Sequence, residues 1–149
     1  MTTETSPARI LVVDDDPGVL RAVTRVLGSQ HKLVTASSPA EALTLAPAFC
    51  PDLAILDIRM PAMDGFELMQ RLKAALPDLD IIVMTGSITE PDALLIRAIQ
   101  QGAFYFIQKP FDREVLQTLV ARCLDLRRLR TLADQEMENL RVAQTRLLP

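Results

Sequence analysis

The chain has 149 residues, 49% of them apolar and 23% charged, with a formal net charge of -3. That length and apolar content support one well-formed core rather than two, and the mild acidity offers no large basic field to attract nucleic acid. No apolar run approaches the ~20 residues that span a bilayer, and the polar start Met1 to Arg9 lacks the apolar segment of a secretory signal. A cytoplasmic protein without membrane contact is expected, with residues 1–8 as a flexible tail. Cys50 and Cys123 show no metal-ligand spacing and read as reduced, buried thiols.

Ile10 to Val13 form an apolar run that stops at Asp14-Asp15-Asp16. Because it does not alternate with polar residues, it reads as a strand covered on both faces. Pro17 suits the first turn of a helix whose stripe is Val19, Leu20, Val23, Val26 and Leu27, and Gly28 ends it. A second strand is expected around Lys32 to Ala36. Ser38, Pro39 and Glu41 then make a capping box for the next helix. Leu53 to Leu56 are apolar again and lead straight into Asp57. The loop from Arg59 to Gly65 follows, and then a helix through Phe66, Leu68, Met69 and Leu72. Ile81 to Met84 is the fourth run, ending at Thr85-Gly86. Thr89 and Asp92 bracket Glu90-Pro91 as a second capping box, opening a helix that Gly102 ends. Ala103 to Ile107 is the fifth strand, ending at Gln108-Lys109-Pro110, and Asp112 caps the last helix.

Five apolar strands alternating with helical stripes predict a (βα)5 order, an α/β fold with a doubly wound parallel five-stranded sheet. Asp14, Asp15, Asp57, Thr85 and Lys109 each fall at or just past the C-terminal end of a strand. In open parallel sheets that rim is where ligands bind. Asp14 to Asp16 alone read equally well as the capping residues of a strand-to-helix turn. A carboxylate closing a wholly apolar strand, as Asp57 does, needs a further reason. Three converging carboxylates repel one another unless a cation lies among them, and Mg²⁺, a hard ion that keeps waters and binds phosphates, suits them. Asp14, Asp15 and Asp57 are the candidate ligands, with the Arg59 backbone carbonyl beside them. An aspartate so placed can attack phosphorus and form an acyl phosphate, with Lys109 as a second cation and the Thr85 hydroxyl as a donor.

The residues Ile10-Leu11-Val12-Val13-Asp14-Asp15-Asp16-Pro17, Asp57-Ile58-Arg59-Met60-Pro61-Ala62-Met63-Asp64-Gly65, Met84-Thr85-Gly86 and Gly102-Ala103 through Lys109-Pro110-Phe111 resemble the receiver domain of bacterial two-component response regulators. The resemblance covers residues 9–125 and implies a flavodoxin-like fold. It also implies that Asp57 is phosphorylated by a histidine kinase or phosphotransfer protein, with self-catalysed transfer and hydrolysis. Asp14 and Asp15 would bind Mg²⁺ with it, and Thr85 and Lys109 would read the phosphoryl group. Phe106 takes the place of the aromatic that changes rotamer, although composition alone leaves a core or surface role for it open. The Lys109–Pro110 bond is expected to be cis. Arg59 and Ser87 stand where the family varies and tunes acyl-phosphate lifetime, and Arg59 suits either a phosphoryl contact or a surface ion pair.

From Asp112 onward no Gly or Pro occurs before Pro149. Leu119, Leu126, Ala133, Leu140 and Leu147 recur every seventh residue, with Cys123, Arg130, Met137 and Gln144 as companions. This predicts a coiled-coil-like helical linker over 126–149, continuing the last receiver helix and pairing two chains as a homodimer. A helix that folds back or frays after Arg128 is the alternative. Arg127, Arg128 and Arg130 read as a solvated face rather than a nucleic-acid site. Leu140 to Gln144 and Leu147 to Pro149 resemble the segment before a stress-response-type serine phosphatase domain, so a piece of a longer regulator with an output domain beyond Pro149 is expected. A stand-alone receiver acting by protein binding is the competing function. A haloacid-dehalogenase-like phosphatase is disfavoured, because Arg59 stands where that class has a second aspartate.

Overall fold

The computed structural model describes residues 7–86 and 91–147. Strands β1 (Arg9–Val13), β2 (Lys32–Ala36), β3 (Leu53–Asp57), β4 (Asp80–Thr85) and β5 (Tyr105–Gln108) alternate with helices α1 (Pro17–Leu27), α2 (Pro39–Phe49), α3 (Gly65–Ala75), α4 (Pro91–Gln100) and α5 (Arg113–Leu147). All strands are parallel, in the order β2-β1-β3-β4-β5. This is the expected doubly wound fold. Ala8 already belongs to the packed body, since it is buried and its N–H donates to His31 Nδ1 at 3.1 Å.

Residue alternation along the strands sorts the core into two layers. Leu11, Val13, Ala54, Leu56, Ile81 and Val83 pack with residues of α2 and α3, whereas Ile10, Val12, Leu53, Ile55, Ile82 and Met84 pack with residues of α1 and α5. Burial of each such side chain contributes about 1.5–3 kcal/mol before entropy is counted, so β1, β3 and β4 form the rigid platform from which the loops project. Helix starts follow local chemistry. Asp16 accepts from Gly18 N–H at 2.8 Å ahead of Pro17, Ser38 Oγ accepts from Glu41 N–H at 3.2 Å, and Asp64 accepts from Phe66 N–H at 2.8 Å.

The expected helix ends are realised differently. Gly102 adopts φ +100°, the left-handed conformation that favours glycine. Gly28 stays right-handed at φ -68°. There a Cβ would come within 2.5 Å of the Thr24 carbonyl oxygen, so close approach requires the glycine. The capping box at Thr89 and the position Ser87 lie outside the described residues. Cys50, expected buried, is exposed, because α2 ends on it with φ +50° and turns it outward. Cys123 is buried as expected, and burial, reinforced by Asp80 and opposed by Arg130 and Arg127, pushes its thiol up to about 12.

α5 is continuous for 35 residues, so the chain neither breaks nor folds back at Arg128. Its first turns cover the sheet, and this corrects the seven-residue seam. Cys123 sits in the core, Leu119 packs against it, and Arg130 is tied to the Asp80 carboxylate at 2.8 Å. Arg127 is not a solvated side chain either. It bonds the Asp78 carbonyl and lies 3.2 Å from Asp80 and 3.7 Å from Asp52. Arg128 is exposed, with Asp125 at 3.5 Å.

Candidate functional site

The sheet gathers the singled-out residues at one rim. Asp14 follows β1, Asp57 closes β3, Thr85 closes β4 and Lys109 follows β5. Register brings them level: Val13 pairs Leu56, Asp57 pairs Met84 and Thr85 pairs Gln108. Backbone bonds lock the strand ends, with Asp14 N–H donating to Ala36 O at 3.1 Å and Lys109 N–H to Thr85 O at 2.7 Å.

Asp14, Asp15 and Asp57 each place a carboxylate oxygen within 4.8 Å of the others. Asp14 and Asp57 are buried and Asp15 is exposed, so the cluster has two fixed carboxylates and one facing solvent. Lys109 Nζ donates to Asp14 Oδ2 at 2.8 Å and Asp57 Oδ2 at 3.1 Å. The remaining oxygens of the two buried carboxylates accept backbone N–H groups, Asp16 to Asp14 at 2.9 Å and Arg59 to Asp57 at 3.1 Å. Burial disfavours the Lys109 charge, but its hydrogen bond to Asp14 and the charges of Asp57 and Asp14 outweigh that cost. The ammonium is therefore held above its ordinary pKa.

Asp14 and Asp57 share the Lys109 ammonium and the Asp15 carboxylate lies beside them, which leaves an excess of negative charge in a half-buried pocket. All three side chains offer hard oxygen donors, and Asp15 leaves one side open to water. The cluster is therefore capable of coordinating a divalent cation, and the donor chemistry fits a hard one. Arg59 stands two residues past Asp57 with an exposed side chain, at the rim of an open groove of about 560 Å³ that also borders Asp15.

Thr85 is buried, and Phe106 is half-buried against the α2–α3 layer of the core. Val83 pairs Phe106 and Thr85 pairs Gln108, so alternation places Thr85 and Phe106 on the same face of the sheet, on neighbouring strands. The Phe106 ring stacks on Tyr105, centroids 5.6 Å apart, and Tyr105 is exposed at the sheet edge. The Lys109–Pro110 peptide is cis.

Two supporting residues were not read as such from the sequence. Gly65 N–H donates to Ile58 O at 2.9 Å, and a Cβ there would lie 2.6 Å from both Asp57 O and Ile58 Cα. Glycine is thus what lets α3 begin against the backbone of Asp57. Arg97 of α4 places its guanidinium 4.1 Å from the Phe66 ring centroid and 3.8 Å from the Asp64 carboxylate, closing the far side of the groove. The sequence carried a signal only for Gly65, a glycine at the start of a helix where propensity disfavours it.

Residues 10–121 match the family model of the response regulator receiver domain. The chain belongs to this family. Over 120 residues the receiver is 38% identical to transcriptional regulatory protein GlrR of Escherichia coli K12, a match that covers 80% of this chain and 27% of GlrR. NtrX from Brucella abortus superposes with a TM-score of 0.81 at 30% identity, over 87% of this chain and 29% of that one. The CheX-CheY-BeF3-Mg+2 complex from Borrelia burgdorferi matches with a TM-score of 0.70 at 26% identity, over 76% of this chain and 87% of the matched one. The chain thus spans about a quarter of the length of full regulators such as GlrR. Among the described residues no helix is long and apolar enough to cross a membrane.

Proposed function

We propose that this receiver is a phosphorylation-operated switch in which Asp57 takes a phosphoryl group from a histidine kinase or phosphotransfer protein, with Mg²⁺ as the resident cation. The observation that carries the reading is the convergence of Asp14, Asp15 and Asp57 within 4.8 Å of one another, with the Lys109 ammonium on Asp14 and Asp57. A carboxylate oxygen of Asp57 forms the new P–O bond as the donor's P–N bond breaks. The electron pair leaves on the imidazole nitrogen, which takes up a proton. Asp14, Asp15 and Asp57, with the Arg59 carbonyl, would hold Mg²⁺, which when bound neutralises charge on the transferring oxygens. The BeF3 and Mg²⁺ in the Borrelia complex support this choice of ion.

Lys109 orients Asp57 before transfer and pairs with the phosphoryl oxygens afterwards. Thr85, at the end of β4, donates its hydroxyl to the phosphoryl group and moves inward. Phe106, on the same sheet face, then changes rotamer and alters the surface formed by α4, β5 and α5. The signal passes along α5 to an output module. The switch is taken as residues 9–125 and the helical linker as 126–149.

The test is intact-mass measurement after incubation with Mg²⁺ and a small acyl phosphate. One added phosphoryl group is expected on the native chain, and none on Asp57→Asn or on the native chain with the metal chelated. Equal labelling of Asp57→Asn overturns the assignment.

A further inference from the structure

We infer that the projecting half of α5 pairs in parallel with α5 of a second copy of this chain, along a stripe that repeats every eleven residues rather than every seven. The inference rests on the tail alone and stands apart from the phosphoacceptor reading. At about 100° per residue, positions 126, 129, 133, 137, 140 and 144 fall within a band about 80° wide. Leu126, Leu129, Met137 and Leu140 on that band are 44%, 56%, 68% and 58% exposed, and no described element of the chain covers them. Three pairs define the repeat, Leu126 with Met137, Leu129 with Leu140 and Ala133 with Gln144. A seven-residue seam through Leu126 and Leu129 would instead bring Glu136 to the contact, and one through Met137 would bring Arg130, already held by Asp80 at 2.8 Å. The eleven-residue stripe leaves Gln144 as its single polar member. At about 3.67 residues per turn it keeps two nearly straight helices in register without a left-handed supercoil.

The occupant is a second copy because the stripe's borders complement themselves. Asp125 and Glu136 lie along one flank, Arg130 and Arg141 along the other. In a parallel pair Glu136 faces Arg141 of the second copy, the five-residue offset by which paired helices match flanking charges, while Arg130 stays with Asp80 of its own chain. An antiparallel pair would set acids against acids and arginines against arginines. Toward the body the same side of the helix carries Arg122 and Thr118 among Leu119 and Val115, all lining one groove with Tyr105 and Phe106, so the apolar stripe itself starts at Leu126.

The full chain carrying Cys50→Ser, which removes the exposed native thiol, is the starting protein for the test. Solution mass by sedimentation equilibrium, with and without Mg²⁺ and a small acyl phosphate, is expected to show a dimer in at least one state. In that state single cysteines at Leu129→Cys, Met137→Cys and Leu140→Cys should oxidise to disulfide-linked dimers about tenfold faster than Glu136→Cys. Leu140→Glu should weaken association roughly 100-fold with the helical circular dichroism of the body retained. Arg141→Glu should weaken it about fivefold, and Glu136→Arg with Arg141→Glu should restore it. A monomer in both states up to about 100 µM overturns the pairing. A dimer that cross-links fastest through Glu136→Cys overturns the eleven-residue register and leaves a seven-residue seam. Cross-links only between unlike positions overturn the parallel direction.

Discussion

The two ends of the sheet both hold aspartates beside cations, and they differ in charge balance. At the C-terminal rim Asp14 and Asp57 pair with Lys109, and Asp15 lies beside them with no ion pair among the described residues. At the N-terminal edge Asp52 and Asp80 face Arg127 and Arg130, and Asp52 also accepts from Arg9 N–H at 2.9 Å. A balanced cluster with planar guanidinium partners is complete in itself and braces α5 against β4. An unbalanced one is completed only by a further cation or by a change in its own charge, which is the condition a phosphoacceptor site needs. β4 joins the two ends: Asp80 at its start grips α5 through Arg127 and Arg130, and Thr85 at its finish belongs to the rim.

The largest expected effect breaks the rim by steric means. Gly65→Ala should destabilise the chain by about 3 kcal/mol, since its Cβ would meet the Asp57 and Ile58 backbone at 2.6 Å, and phosphoryl uptake should fall with it. Urea denaturation and intact mass check the two parts. Next, Asp80→Ala should cost about 2 kcal/mol by removing the carboxylate that Arg127 and Arg130 share, leaving the half-buried Arg127 with Asp52 at 3.7 Å, yet leave Mg²⁺ affinity by calorimetry unchanged. A loss of metal binding there would erase the functional distinction between the two ends.

Alkaline pH separates the ends further. The Cys123 thiol is pushed up to about 12 from 9.0 by burial first and Asp80 second. The unfolded chain therefore releases that proton earlier, and stability falls as pH rises from 9 toward 12. Cys123→Ala should flatten this limb of a pH series of denaturation curves. The smallest stability effect is at the rim: Asp15→Asn should change metal-free stability by no more than about 0.5 kcal/mol, because Asp15 is exposed and relieves repulsion when neutral. The same substitution should weaken Mg²⁺ binding roughly tenfold. A large loss of metal-free stability would show that Asp15 has a structural partner at the rim.

Much of the architecture was legible because β1, β3, β4 and β5 are short apolar runs that give way to polar residues at one end. Those cut-offs, Asp14, Asp57, Thr85 and Lys109, are also the site, so one pattern carried both. Asp80 was not legible. It stands just before the apolar run Ile81 to Met84, yet it is the first residue of β4, and its partners lie 47 and 50 residues on. Periodicity likewise showed that the tail is a helix with an apolar side. It counted Cys123 and Arg130 toward a seam that the body had already claimed.

The sequence by itself determined the strand and helix order, the acidic rim and the long terminal helix, because hydrophobic period and capping chemistry act over a few residues. Tertiary structure decided which carboxylates are balanced and which are left in excess, why Gly65 must be glycine, and which side of α5 remains free. Those depend on contacts between residues tens of positions apart, where the geometry of the sheet, not local propensity, sets the distances.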